Sequence, residues 1–149
     1  MGKKYTETID SKLKTAWQIV SRMYNTEASK YNATISTAHF LLNIDSLAGS
    51  YASDIAPQLG TESTSLSRII NSLEKEKLIT RTSDKEDKRR IKITLTQKGK
   101  QKKEIAKNYV RDFNQLVAQK IGKNRIEEFY KTVNEIIEVA EEKNKLQKK

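Results

Sequence analysis

Side chains that can donate hydrogen bonds to nucleic-acid bases recur at helical spacing between residues 61 and 77. Projected at 100° per residue, they share one face of a predicted helix and its flanks. They begin as short hydroxyls and continue as longer donors: Ser63, Thr64, Ser65, Ser67, Arg68, Asn71 and Lys75. Such groups suit close approach to base edges and phosphates. The pattern predicts two-bond contacts from Arg68 to guanine and from Asn71 to adenine.

The opposite face of this helix is apolar, and we expect it to pack on the helices that precede it. Its residues are Leu66, Ile69, Ile70 and Leu73. The helix should begin near Thr61 or Glu62. Considered alone, its polar face is also typical of a helix that merely meets solvent, so the segment that follows has to separate the two interpretations.

A strongly charged loop follows, between two strand-like runs at residues 78–81 and 91–95. The second run alternates apolar and polar side chains, which predicts a strand with one buried face. The loop residues expected to meet DNA are Asp87, Lys88, Arg89 and Arg90. An arginine in a narrow groove meets an enhanced negative potential, so Arg89 or Arg90 can sense groove width. A polar helix beside a cationic hairpin suits the wide and narrow grooves of duplex DNA, and this combination makes a merely solvated loop the weaker interpretation.

The net charge agrees with a polyanionic partner. The chain has 149 residues, which fits one domain, with 29 Lys and Arg against 19 Asp and Glu and a net charge of +10. Residues 61–107 carry fourteen basic and seven acidic side chains, so most of the excess is in this segment. Such a field favours nucleic acid or anionic lipid surfaces. The 36% hydrophobic content supplies a modest core, which dimerisation would help to complete.

Several classes of protein are disfavoured by what the chain lacks. It has no cysteine and a single histidine, His39, so we expect no disulfide, no metal site and no cofactor. It offers no phosphate-cradling glycine loop and no recognisable catalytic triad, and we therefore do not expect an enzyme. No run approaches the roughly 20 apolar residues that cross a bilayer, and residues 1–4 are not followed by an apolar signal core. We expect a cytoplasmic protein without a membrane partner.

Three helices are predicted before the polar one. Apolar residues at spacings of three and four from Ile9 to about Tyr24 predict a first helix. A second should be capped by Ser36 or Thr37 and end at Gly49. It carries the apolar residues Phe40, Leu41, Ile44 and Leu47.

A third, short helix is predicted from about Asp54 to Leu59. Pro57 fits such a helix only in its first turn, which would make Asp54 the N-cap. Gly60 then supplies the tight turn into the polar helix, and the pair forms a helix-turn-helix candidate.

Two long helical patterns follow Thr96, a predicted N-cap, with an interruption near Gly122. Together with the first helix, their apolar stripes exceed what so small a DNA-binding unit can cover. We expect them to form a helical interface between two chains. The alternative is that they fold back on their own core.

The order of these motifs resembles the MarR family of bacterial and archaeal transcription regulators. The matching residues are the helix end Leu73-Glu74, the strand entry Leu78-Ile79, the Asp-x-Arg of Asp87 and Arg89, and the Leu-Thr-x-x-Gly of Leu95, Thr96 and Gly99. The resemblance implies a mainly α fold. It would be a winged helix-turn-helix with a small antiparallel β-hairpin wing and terminal helices that form a dimerisation region. We expect one domain over residues 1–149, with a DNA-binding lobe at 34–96 and dimerisation segments at 5–33 and 97–145.

The resemblance also implies roles for single residues. Asp87 would hold the wing arginine in position. Lys77 stands where the family commonly has glycine, so we expect a less sharp turn from helix to strand.

The function implied is a sequence-specific, ligand-responsive repressor that binds an inverted-repeat operator on double-stranded DNA as a homodimer. The alternatives are a non-specific, chromatin-like nucleic-acid-binding protein without an effector, and an interaction scaffold that has lost DNA binding. The effector would be small and hydrophobic or aromatic, with or without negative charge. Its predicted lining is Trp17, Tyr24, His39, Phe40, Tyr109 and Phe113. An aromatic stripe at helical spacing is also typical of an ordinary core.

Overall fold

A computed structural model describes residues 7–60 and 63–148. The expected start of the polar helix at Thr61 or Glu62 lies outside these residues, as do positions 5 and 6 of the predicted dimerisation segment. The chain divides into two compact units, Met1–Lys107 and Asn108–Lys149.

The described residues form six helices and three strands. In chain order these are α1 (Ile9–Ser29), α2 (Ile35–Leu42), β1 (Ser50–Tyr51), α3 (Ala52–Leu59), α4 (Ser63–Lys75), β2 (Ile79–Ser83), β3 (Ile91–Leu95), α5 (Gln97–Ile121) and α6 (Lys123–Gln147). The mainly helical fold with an antiparallel hairpin is confirmed. Strand β1 pairs antiparallel with β3 and extends the sheet to three strands in the order β1-β3-β2. The sequence analysis missed β1, because two residues are too few to show an alternating pattern.

The core of the first unit is made where α2, α3 and α4 meet the inner face of the sheet. Its buried residues are Phe40, Leu41, Ile44, Ile55, Ile69, Ile70, Leu73, Leu78, Ile79, Ile93 and Leu95. The apolar face predicted for α4 is confirmed, with Leu66 packed partly buried at its margin. Burial of this face leaves the opposite side of α4 directed away from the core.

The predicted bounds of α2 are wrong at both ends. Thr34, not Ser36 or Thr37, is the N-cap, and it exchanges hydrogen bonds with Thr37 in a capping box. The helix ends at Leu42 rather than near Gly49.

A loop held by Asp45 stands where the last turns of α2 were expected. Its carboxylate accepts from the backbone N–H groups of Leu47 at 2.8 Å and Ala48 at 2.7 Å, and these bonds, that from Ala48 first, hold the pKa of Asp45 below its ordinary value. Leu47, expected on the apolar face, is 93% exposed. Gly49 has a φ of 72° and approaches the sheet so closely that a Cβ there would lie 2.6 Å from the carbonyl oxygen of Ile93.

The predicted start of α3 at Asp54 is also wrong. The helix begins at Ala52, directly after β1, with Tyr51 as its N-cap residue. Pro57 therefore lies inside the helix, where it has no N–H to donate to the carbonyl of Ser53 one turn earlier. Gly60 ends α3 in the left-handed conformation, with a φ of 58°, as the predicted tight turn requires.

The turn from α4 into β2 keeps the geometry that usually needs glycine. Lys77 adopts a φ of 61°, in the left-handed region. Its N–H donates to the Glu74 carbonyl and that of Leu78 donates to the Leu73 carbonyl, both at 2.9 Å, which is the Schellman pattern of a helix end. The expectation of a less sharp turn is wrong, because these two bonds and the burial of Leu78 hold the lysine in a conformation it does not favour.

The start of α5 is fixed to this same turn. The hydroxyl of Thr96 lies 2.7 Å from the Lys77 carbonyl oxygen and accepts from the N–H of Gly99 at 3.0 Å, which confirms Thr96 as an N-cap. The Thr96 N–H donates to the Leu78 carbonyl at 3.0 Å. A Cβ at Gly99 would lie 1.9 Å from that carbonyl oxygen. The glycine thus lets the start of α5 lie against the backbone of Leu78, directly before β2.

The second unit contains the later part of α5 and α6, joined at Gly122, whose φ is 88°. The interruption predicted there is confirmed. None of the described residues of α6 is buried, although the helix is amphipathic. Its exposed apolar side chains include Phe129, Tyr130, Ile137, Val139 and Leu146.

We predict that Gly99→Ala lowers the free energy of unfolding by about 3 kcal/mol, because the added methyl meets a backbone carbonyl that cannot turn away. Urea denaturation followed by circular dichroism measures the loss. Gly60→Ala is the control: among the described residues no atom lies within 4 Å of the added Cβ, so we expect the left-handed backbone to oppose it, at about 1 kcal/mol. Equal losses in the two variants would contradict the close approach of α5 to Leu78.

Candidate nucleic-acid interface

The polar face predicted on α4 is exposed along its whole described length. The exposed residues are Ser63, Thr64, Ser65, Ser67, Arg68, Asn71 and Lys75. Within the described part of the chain, the first turn of α4 carries no acidic residue. The face therefore presents donors at the helix N-terminus, where the helix dipole also favours an anionic partner.

Two residues outside the predicted site, Arg81 and Glu74, form a chain of contacts that ends at the side chain of Asn71. Arg81, on β2, donates through Nη1 to the amide oxygen of Asn71 at 3.2 Å. Its other terminal nitrogen, Nη2, lies 2.6 Å from a carboxylate oxygen of Glu74. Sequence reasoning missed this contact, because Glu74 and Arg81 are seven positions apart on different elements.

Asp84, which is not among the predicted site residues, shapes the wing, that is, the hairpin of β2 and β3 with the intervening residues 84–90. One of its carboxylate oxygens accepts from the backbone N–H groups of Glu86 at 2.9 Å and Asp87 at 3.0 Å. The other accepts from the hydroxyl of Tyr51 at 2.5 Å. The Tyr51 bond first, and then the two backbone bonds, lower the pKa of Asp84 from 3.8 to about 2. The same bond raises the pKa of Tyr51.

The two predicted wing arginines differ in their surroundings. The guanidinium of Arg90 lies 3.7 Å from the centre of the Tyr51 ring on β1 and 3.6 Å from the carboxylate of Asp54 on α3, so this side chain packs against those two elements. Arg89 is exposed, and no carboxylate of the described residues forms an ion pair with it. Of the two, Arg89 is the one free to reach a groove.

Asp87 organises the wing tip through the backbone. Its carboxylate accepts from the Arg89 N–H at 3.0 Å, and its carbonyl accepts from the Arg90 N–H at 2.9 Å. No ion pair joins Asp87 to the Arg89 guanidinium in the part of the chain that the structure describes. Asp87 thus fixes the backbone from which Arg89 projects and leaves the guanidinium itself uncommitted.

The predicted ligand-lining residues are divided between the two units. In the first unit, the rings of Trp17 and His39 stack with centroids 6.3 Å apart, and burial lowers the pKa of His39. Phe40 is fully buried in the core and Tyr24 lies on α1. The other two, Tyr109 and Phe113, belong to the second unit.

A concavity of about 550 Å³ runs along α1. Its lining is polar: Gln18, Ser21, Arg22, Asn25, Thr26 and Ser29. None of the six predicted ligand-lining residues takes part in it. Among the described residues, no three His, Asp or Glu side chains are grouped to hold a metal ion. No described helix has the length and apolar content to span a bilayer.

A helix-turn-helix followed by a β-hairpin defines the class of winged helix-turn-helix proteins. Residues 34–91, which contain α4 and most of the wing, match the model of the MarR family. The resemblance to this family that the motifs of the sequence indicate is thereby confirmed over residues 34–91. No curated protein sequence matches the chain.

Solved structures of the same fold agree. S. aureus MepR in complex with DNA superposes with a TM-score of 0.81 at 20% identity, covering 89% of this chain and 98% of MepR. PcaV from Streptomyces coelicolor with its natural ligand gives 0.80 at 15% identity, covering 94% and 99%. Streptococcus pneumoniae FabT in complex with DNA gives 0.75 at 17% identity, covering 90% and 96%. At these identities the likeness shows the fold.

We predict that Tyr51→Phe loosens the wing, because Asp84 loses the hydroxyl that anchors it to β1. Amide hydrogen exchange over residues 84–90 should accelerate several-fold. The carboxyl pKa of Asp84, measured by NMR titration, should rise from about 2 towards 3.8. Since the folded pKa is depressed, the contribution of Asp84 is present above pH 4 and is lost as the pH falls towards 2. In the variant the folded and unfolded pKa values of Asp84 lie closer together, so this contribution to stability is smaller.

Tyr130→Phe, on α6, serves as the matched control and should leave both measurements unchanged. An unaltered Asp84 titration in Tyr51→Phe would show that the hydroxyl does not anchor the wing.

Proposed function

We propose that this protein is a transcriptional regulator that binds duplex DNA of defined sequence. The observation that carries the proposal is the exposed, donor-bearing face of α4 beside a wing whose Arg89 is exposed and unpaired with any carboxylate of the described residues. The family assignment supports it, since the matched segment contains this helix. MepR and FabT, which share the fold, were both solved with DNA.

In the proposed complex α4 enters a major groove and the wing reaches the adjacent minor groove. Base contacts come from the α4 face, with Arg68 as the principal reader. Arg89 and Lys88 at the wing tip meet the backbone and the narrow groove. The wing backbone is ordered before DNA binds, because the carboxylates of Asp84 and Asp87 accept hydrogen bonds from its N–H groups.

The working form we propose is a homodimer. Helices α1 and α6 contain no buried residue among those described, yet they expose large apolar side chains. On α1 these include Ile9, Leu13 and Trp17, which are 63%, 40% and 54% exposed. Contiguous apolar surface of this kind calls for a partner, and a second copy is the economical one. Two copies related by a two-fold axis would read an inverted repeat with half-sites about one helical turn apart.

Regulation by a small effector is part of the proposal. PcaV, which shares the fold, was solved with its natural ligand. Here the half-exposed Trp17 stacked on His39 offers an aromatic surface for a hydrophobic or aromatic compound. Binding would change DNA affinity only by favouring one of two dimer arrangements. The protein would then act in the cytoplasm as a repressor whose operator overlaps a promoter.

We predict that sequences selected from a random duplex pool at moderate salt contain an imperfect dyad. On such a site Arg68→Ala should weaken discrimination against a substituted half-site by about 1–3 kcal/mol. Lys88→Ala is the control and should weaken binding to operator and random duplex alike while reducing the salt dependence. Fluorescence anisotropy gives both affinities, and light scattering should show two 17.1 kDa chains per operator.

The opposite results point to the chromatin-like alternative. Absence of a dyad, one chain per site, or an equal loss on operator and random duplex in Arg68→Ala would each contradict specific recognition.

We predict that a thermal-shift screen of phenolic acids, fatty acids and their coenzyme A esters yields compounds that raise the melting temperature and weaken operator binding. Trp17→Leu should lose both effects. Compounds that stabilise the protein without changing operator affinity would contradict a regulatory role.

A further inference from the structure

The amide of Asn71 has only one orientation that fits its neighbour. An asparagine amide carries an oxygen that accepts and a nitrogen that donates, whereas a guanidinium carries donors alone. Arg81 stands 3.2 Å from the Asn71 side chain, so the amide oxygen has to face Arg81 and the amino group has to face away from it. The reverse orientation would set donor against donor.

Arg81 is itself held in place. It projects from β2, whose register pairs it with Ile93 in the centre of the sheet. Its guanidinium is bound to Glu74 at 2.6 Å, on the helix that carries Asn71. Sheet, ion pair and helix therefore determine together where the amide oxygen points.

Asn71 lies on the same face of α4 as Thr64 and Arg68, and it is exposed. We infer that Asn71 reads DNA as a hydrogen-bond donor whose orientation is set by Arg81 and Glu74, which makes these two residues determinants of specificity. This inference rests on the proposed binding of α4 in the major groove. The contact to the ligand is made by the Asn71 amino group, and Arg81 and Glu74 act as positioning residues.

A donor selects a different base from the one expected for a free asparagine. A two-bond contact with adenine needs the amide oxygen to accept from the adenine amino group while the amide nitrogen donates. An amide oxygen has two lone pairs, and with one of them engaged by the Arg81 guanidinium the oxygen is a weaker and less well-directed acceptor for the adenine amino group. Guanine presents two acceptors and no donor at its major-groove edge. The preferred base is therefore guanine, and the adenine contact predicted from the sequence is replaced.

The test uses the full-length protein and its selected operator, with each base pair substituted in turn. Asn71→Leu, which removes donor and acceptor without changing charge, identifies the base pair that Asn71 reads. At that pair the wild-type protein should favour G·C over A·T by about three- to tenfold, the range of one hydrogen bond. Discrimination at other positions should stay the same.

The double variant Glu74→Gln with Arg81→Gln then tests the positioning. It keeps the net charge and supplies a side chain able both to donate and to accept, so the preference for G·C should fall below twofold at this pair alone. Arg81→Lys keeps a donor-only side chain and should retain the preference. The ion pair is about two-fifths exposed, so its loss costs little stability, and thermal melting verifies that each variant is folded.

The outcomes are separable. An A·T preference at the Asn71 pair, no pair sensitive to Asn71→Leu, or an unchanged preference in the double variant overturns the inference and leaves the regulator intact. A wild-type protein with no sequence preference at any position overturns the proposed function and this inference with it.

Discussion

The contact between Gly99 and the carbonyl of Leu78 is the constraint on which the winged helix-turn-helix part of the structure depends. At this point the end of α4, the start of β2, the end of β3 and the start of α5 share a few backbone groups. The Thr96 hydroxyl donates to the Lys77 carbonyl and the Thr96 N–H donates to the Leu78 carbonyl. These bonds hold both strands of the wing against the end of α4. A side chain at position 99 would separate these elements, because the atom it meets is backbone and cannot change rotamer.

From this junction the wing extends as a hairpin of two paired strands, β2 and β3, with an exposed loop at its tip. Tyr51, on β1, bonds Asp84 where the wing loop begins after β2, and Asp84 also accepts from the backbone N–H of Glu86 within that loop. Arg90 is used in this framework, packed on the Tyr51 ring, whereas Arg89 is not. Arg90 is therefore part of the packing around Tyr51, whereas the side chain of Arg89 is exposed, although the two are adjacent residues of the same type. In the proposed complex, prior ordering of the wing would reduce the conformational entropy lost when the wing enters a DNA groove.

The same principle operates on α4. The helix offers a row of short hydroxyls that demand little ordering, and a single asparagine whose orientation is imposed by Arg81 from the neighbouring strand. The proposed reading face is thus not a property of the helix by itself. It is completed by the sheet, which supplies the group that determines what Asn71 can recognise.

The sequence alone determined the periodic features. Leu66, Ile69, Ile70 and Leu73 fixed the buried face of α4, and the alternation from Ile91 to Leu95 fixed β3, because burial of one side of a regular element leaves a repeat in the chain. The motifs around Leu73, Asp87 and Thr96 were enough to show the resemblance to the MarR family, whose model matches residues 34–91. Loop geometry escaped this reasoning, as at Leu47 and Pro57, because Asp45 and the sheet override the local preference for helix bounds.

Only the tertiary structure decided which polar groups remain available. Asp84 meets Tyr51 across 33 positions of the chain, and Asn71 meets Arg81 across ten, separations at which no periodicity relates the partners. The backbone of Lys77 is a further example. Surrounding hydrogen bonds impose a left-handed conformation on this residue, whereas the sequence predicted a less sharp turn. A one-dimensional pattern records which face a residue occupies, whereas a hydrogen bond depends on distance and direction, which exist only after the chain has folded.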